Sequence, residues 1–180
     1  MEPILLYEKH PIINAKSPTY WYAVYTKPHH EKKIFEQTKT EHIEAFLPLH
    51  TTIRQWSDRK KKVSEPLFSC YLFVKITKKE YYKVLNIPGV VRYITFEGKA
   101  IPISEAQIQL IKNLLMQDFE PIEYMEHIHL GMRVKVQAGL LTGTEGILVD
   151  HSGKKRVIIS IEEINKSLLI NVPLNILAPF

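Results

Sequence analysis

The chain has 180 residues, 45% of them apolar, and a formal net charge of +5. That suffices for one medium domain or two small ones, and no uncharged apolar run approaches the roughly 18–20 residues of a membrane-spanning helix. A single cysteine, Cys70, excludes an internal disulfide framework and any multi-cysteine zinc site. The start of the chain carries Glu2 and lacks the basic opening and long apolar centre of a secretory leader, so a soluble, cytoplasmic protein that avoids membranes is expected.

The charge is unevenly placed. Residues 1–120 hold 18 Lys+Arg against 13 Asp+Glu, whereas residues 121–180 hold 6 of each. A basic region followed by a neutral one suggests a polyanion partner for the first and a different partner for the second. A merely solubilising surface is the alternative.

In chain order, residues 1–17 contain two prolines and little periodicity and are predicted to be a loose tail. Tyr20–Thr26 (YWYAVYT) is aromatic and β-branched, which predicts a strand. Pro28 suits the first turn of a helix over His29–Glu41, with Ile34, Phe35 and Thr38 on its apolar stripe. Residues 51–63 predict a cationic hairpin turning at Ser57-Asp58, preceded by an extended stretch from about Ala45.

Pro66–Ile76 (PLFSCYLFVKI) is the strongest strand signal. Alternation places Leu72, Val74 and Ile76 on a face that should meet helices, and Tyr71, Phe73 and Lys75 on the other. Lys78–Leu85 predicts a helix ended by Pro88-Gly89. Val90–Phe96 and Ala100–Ile103 predict a second hairpin, and Ser104 caps a helix running to about Gln117 with Ile108, Ile111, Leu114 and Leu115 on one stripe. This order implies an α+β domain, a mainly antiparallel sheet with helices on one face. Residues 118–129 read as a linker. Beyond them, short strands separated by glycines (133–137, 146–150, 156–161, 166–171) predict a small β-barrel.

The segment containing Gly131, Val134, Val136, Gly139, Gly143 and Gly146 (GMRVKVQAGLLTGTEG) alternates valines and places glycines where turns and close approaches need them. It resembles the KOW motif, which opens a five-stranded SH3-like barrel. Upstream, Trp21-Tyr22 with Lys27 and Glu31, then SEPLFSCYLFV (Ser64–Val74), then Pro88-Gly89-Val90, resembles the N-terminal domain of NusG-type transcription elongation factors. The two resemblances together cover most of the chain. SEPLF followed by YLFV is closer to specialised antiterminators of the RfaH type, and WSDRKKK (Trp56–Lys62) resembles UpxY-type regulators of capsule operons. General factors of the family usually have Pro-Gly where this chain has Ser69-Cys70, which favours a specialised paralogue.

The resemblance implies a flexible tail (1–17), a NusG N-terminal-like domain (18–117), a linker (118–129) and a KOW domain (130–180). It further implies docking on the clamp helices of RNA polymerase through an apolar sheet face holding Tyr25, Phe68, Tyr71, Phe73 and Phe96, although each ring could instead be core. Such an antiterminator bridges the clamp, which suppresses pausing or termination, in specific operons that could be polysaccharide clusters. Lys27, Lys33 and Gln37 match the surface that RfaH-like proteins present to the non-template DNA strand, and His29 and His30 are candidates beside them. Arg54, Arg59, Lys60, Lys61 and Lys62, interleaved with Trp56, suit phosphate pairing and base stacking. A solvated hairpin tip is the alternative.

The two adjacent histidines would point about 100° apart on a helix and are poorly placed to share a metal. Cys70 reads as a buried thiol, not a nucleophile, and no Walker loop, HExxH, GxSxG or acid pair occurs, so no enzyme, metal or cofactor is expected. For the neutral barrel, the family implies a small-subunit ribosomal protein or termination factor Rho as partner. Its glycines and Pro173 predict an ordinary barrel without a switch to helices. A monomer, nucleoid-associated through the polymerase, is expected. A ribosome-associated KOW-type RNA-binding protein is the runner-up, but it would concentrate cations on the barrel, opposite to the charge split observed.

Overall fold

A computed structural model describes residues 4–8, 17–55, 60–116, 122–124, 131–151 and 154–180. Two units, Met1–Glu105 and Ala106–Phe180, each hold their own contacts.

In the first unit the strands are β1 (Ile4–Tyr7), β2 (Tyr20–Thr26), β3 (Glu44–Gln55), β4 (Lys60–Pro66), β5 (Tyr71–Ile76), β6 (Val90–Tyr93), β7 (Thr95–Phe96), β8 (Lys99–Ala100) and β9 (Pro102–Ile103). The helices are α1 (Glu31–Thr40) and α2 (Tyr81–Leu85); α3 (Glu105–Leu115) begins at the end of this unit. The main sheet runs β1-β3-β5-β2-β6, with β4 continuing on β3 and β9 on β2; every pairing is antiparallel.

Alternation fixes which side of the sheet meets the helices. Val24, Leu72, Val74 and Ile76 join Ile34 and Phe35 of α1 and Val84 of α2 in one buried cluster. The stripe at Ile34, Phe35 and Thr38 therefore faces inward as its spacing requires. The fold class is the α+β class expected, with α1 and α2 on one sheet face.

Three local differences have physical reasons. Ile4–Tyr7, inside the expected tail, is a strand because its four apolar or aromatic residues pair with Ala45–Pro48. The long strand expected over Pro66–Ile76 is broken at residues 67–70. Leu67 donates its N–H to the Pro48 carbonyl, the Cys70 N–H goes to the Glu31 carboxylate at 2.7 Å, and the Cys70 carbonyl accepts from Thr26 N–H. Those bonds pin a turn in which Cys70 takes φ +65°, a left-handed conformation that favours glycine. The second predicted hairpin divides: β6 and β9 pair with β2, while β7 and β8 pair only with each other across Glu97-Gly98.

The second unit holds a six-stranded antiparallel sheet in the order β10-β14-β13-β12-β11-β15. Its strands are β10 (Ile122–Tyr124), β11 (Arg133–Val136), β12 (Glu145–His151), β13 (Lys154–Ile161), β14 (Lys166–Ile170) and β15 (Leu177–Pro179). One strand more than the expected five appears because Ile122–Tyr124, within the expected linker, pairs with Ser167–Leu169; the remainder of residues 118–129 lies outside those described. Val134, Val136, Val157, Ile159, Ile161 and Leu168 are among its buried side chains. Gly146 is required by space: a Cβ there would lie 2.5 Å from the Ile158 carbonyl oxygen. Gly139 and Gly143 both adopt φ +85°, and Gly131 passes against the Leu148 backbone.

Candidate functional site

Strand β2 divides the first unit's surfaces. Trp21, Ala23 and Tyr25 alternate onto the sheet face away from the helix cluster, and the register sets Tyr25 opposite Tyr71 and Ala23 opposite Phe73. On that face the Tyr25 and Tyr71 rings meet edge-on at 5.6 Å, and the Arg92 guanidinium lies 5.7 Å from the Tyr25 ring centre. Both tyrosines are half-buried, which leaves part of an aromatic pair with a cation beside it open to solvent.

Phe68 and Phe73 depart from the expectation that they are part of the open surface. Both are 0% exposed. Phe73 stacks on its cross-strand partner Phe46 at 5.9 Å, and Phe68 meets Phe73 edge-on at 6.2 Å, because the turn at 67–70 folds Phe68 back over the strand. They are core, the alternative that the sequence left open. Phe46 belongs to this cluster and was missed; its only signal is the cross-strand register, which sequence does not display. Phe96 is 68% exposed but stands apart on the β7–β8 hairpin.

At the edge of this face, Trp21 Nε1 donates to Glu105 Oε2 at 3.0 Å and Lys75 pairs with the same carboxylate oxygen at 3.3 Å. This holds the first residue of α3 against β2 and β5.

The cationic residues form a second group. Lys27, His29 and Lys33 are exposed; His30 is half-buried, its Nδ1 donating to the Pro28 carbonyl at 2.9 Å. His29 has φ +61°, so the two histidines lie in different backbone conformations at the entry to α1. Lys60, Lys61 and Lys62 are exposed on β4, opposite Gln55, Arg54 and Ile53 of β3. Lys32, not singled out from sequence, donates to the Ser64 carbonyl at 2.7 Å and ties α1 to β4. The α1 cations and the lysine strand are thereby drawn toward one another. Arg54 stands in β3, but its side chain lies outside the described residues, as do Trp56, Arg59 and the predicted turn at 57–58.

Gln37 is half-buried in a hollow of about 540 Å³ lined also by Thr40, Glu41, Lys83, Asn86 and Pro88. Its Oε1 is buried with no hydrogen-bond partner among the described residues. Among the described residues, no group of three or more His, Cys, Asp or Glu could hold a metal ion, and no helix is long and apolar enough to cross a membrane.

Comparison with known proteins fits this architecture. The family model described as "Transcription termination factor nusG" matches residues 19–112. The "Transcription termination/antitermination protein NusG" of Rickettsia felis is 27% identical over 162 residues, which is 82% of this chain and 84% of that protein. The solved structure "Domain interaction in Thermotoga maritima NusG" superposes with a TM-score of 0.55 over 89% of this chain and 97% of that one, at 20% identity. That last likeness is one of fold.

Proposed function

Because the chain belongs to the NusG family of transcription termination and antitermination factors, we propose that it is a specialised antiterminator of the RfaH/UpxY type that rides on RNA polymerase. Its first domain (18–117) binds the clamp helices and bridges the cleft, so that pausing and termination fall in specific operons, polysaccharide clusters among them. The observation that carries this reading is the half-buried Tyr25–Tyr71 pair with Arg92 at its side. Partly exposed aromatic rings beside an arginine are the composition of a protein-binding hot spot. Phe96 supplies a further exposed ring; Phe68 and Phe73 stiffen the face from beneath.

Lys27, Lys33 and Lys60–Lys62, with His29 and His30, contact the phosphates of the non-template strand, and Gln37, on the same helix as Lys33, lies beside them. Residues 130–180 form a KOW-type domain, following a linker at 118–129. The equal numbers of acidic and basic residues over 121–180 suit a protein partner, a small-subunit ribosomal protein or Rho, better than a polyanion. The protein works as a monomer at the nucleoid.

A run-through assay tests the function: core polymerase transcribes a template carrying a pause site and a terminator, with and without the chain. Increased read-through at both signals is expected. Unchanged or increased termination would contradict antitermination.

A further inference from the structure

We infer that the first unit carries a second docking surface, on the helical segment 78–85 that packs over the sheet face opposite Tyr25 and Tyr71, and that exposed Tyr82, at the end of a row of tyrosines and flanked by Lys78 and Lys79, takes single-stranded RNA there. Tyr20 and Tyr22 alternate with Trp21, Ala23 and Tyr25 and so share the helix side of β2 with Val24. From Tyr22 the rings run outward in a connected row. Tyr22 meets Tyr93 edge-on at 5.9 Å, Tyr93 stacks on Tyr81 at 4.2 Å and 18°, and Tyr81 meets Tyr82 edge-on at 5.4 Å. Burial, and after it the neighbouring Tyr20 and Tyr81 hydroxyls, raise the Tyr22 pKa above the ordinary tyrosine value.

Burial is graded along this row. Tyr93 is 1% exposed and donates its hydroxyl to the Tyr81 carbonyl at 3.0 Å; Tyr20 is 45% exposed and Tyr82 73%. Tyr93 is core, Tyr22 and Tyr81 are partly buried against it, and the row ends in a large ring left in water.

The surroundings select the occupant. Residues 78–85 form one continuous helical segment, so Lys78 and Lys79 precede Tyr82 by four and three residues and share its side. Both lysines are exposed. Glu80, the acid between them and the rings, is turned back onto Thr77, accepting from its N–H and hydroxyl at 2.9 Å each. Exposed rings beside exposed cations complement a polymer of π-faced bases and phosphates. Stacking requires unpaired bases, which selects a single strand, and phenol hydroxyls can bond the 2′-hydroxyl that separates RNA from DNA. In transcription the newly made transcript is such a polymer.

The test uses the full chain in a Lys60→Ala/Lys61→Ala/Lys62→Ala background, which removes the competing phosphate-binding strand. Anisotropy follows a labelled mixed-sequence RNA of about 12 nucleotides and the DNA of the same sequence. Tyr82→Ala should weaken RNA binding about fivefold or more, while Tyr82→Phe, which keeps the ring, retains most of it. Lys78→Ala/Lys79→Ala should flatten the salt dependence. Full RNA affinity in Tyr82→Ala, or DNA bound as tightly as RNA, would overturn the inference. Tyr82→Ala should leave polymerase binding intact, so failure of the polymerase reading and failure of this one give different results.

Discussion

At the residue scale, the turn at 67–70 concentrates the unusual chemistry. Glu31 is 4% exposed and its carboxylate accepts the Cys70 N–H. Glu31→Ala would leave that donor without its partner and should cost about 2 kcal/mol in urea unfolding, with Glu31→Gln, still an acceptor, losing less. Cys70 holds φ +65°, so Cys70→Val, β-branched in a left-handed position, should lose about 1–2 kcal/mol, whereas Cys70→Gly should match or exceed the parent. The turn thus places at Cys70 a backbone conformation that glycine, without a Cβ, adopts at no steric cost.

His50 offers a pH test. Burial holds its imidazole below the ordinary histidine value despite the opposing Glu65, and its Nδ1 is buried without a partner among the described residues. The unfolded chain therefore binds the proton more readily than the folded one. Stability should be intact above the ordinary histidine pKa of about 6.5 and fall as pH drops from there toward the lowered folded value. His50→Gln should remove that part of the acid sensitivity, read as melting temperature against pH; an unaltered profile would show that His50 is not its source.

At the element scale, the exposed lysines of β4 are available to a ligand without carrying the fold. Lys60→Ala/Lys61→Ala/Lys62→Ala should lower the slope of log affinity against log salt for single-stranded DNA by up to about 2 while thermal stability stays within about 0.5 kcal/mol. An unchanged slope would remove β4 from the nucleic-acid surface. Gly146→Ala should instead destabilise the second unit, since its Cβ meets the Ile158 backbone, which a side-chain rotation cannot relieve.

Elements with strong local patterns were legible in the sequence. Tyr20–Thr26 is β2 with the bounds its composition suggests, and Ile34, Phe35 and Thr38 are the buried stripe of α1. The alternation of Leu72, Val74 and Ile76 named the helix side of the sheet correctly. What escaped depends on distant partners. Ile4–Tyr7 and Ile122–Tyr124 are too short to show a period and are strands because β3 and β14 offer open edges. The break at 67–70 is hidden in an apolar run because its causes, Glu31 and Pro48, lie elsewhere in the chain. Parity likewise identified the face of Phe73 but not its depth, which Phe46 and Phe68 decide.

At the scale of the whole molecule, a basic first region, with a tyrosine pair on its open sheet face and a second tyrosine cluster at the 78–85 helical segment, is followed by a charge-balanced, β-rich region over 121–180. We propose the open face of the first sheet for polymerase, the cationic strand and α1 for displaced DNA, and the 78–85 segment for RNA. The assignments are separable because their residues do not overlap. The most direct measurement is the affinity of the full chain for core RNA polymerase, compared among the parent, Tyr25→Ala and Tyr71→Ala, with melting temperatures recorded on the same samples. Each substitution should weaken binding about tenfold or more while unfolding stability falls by no more than about 1–2 kcal/mol; parental affinity in both variants would contradict the assignment of that face to the polymerase.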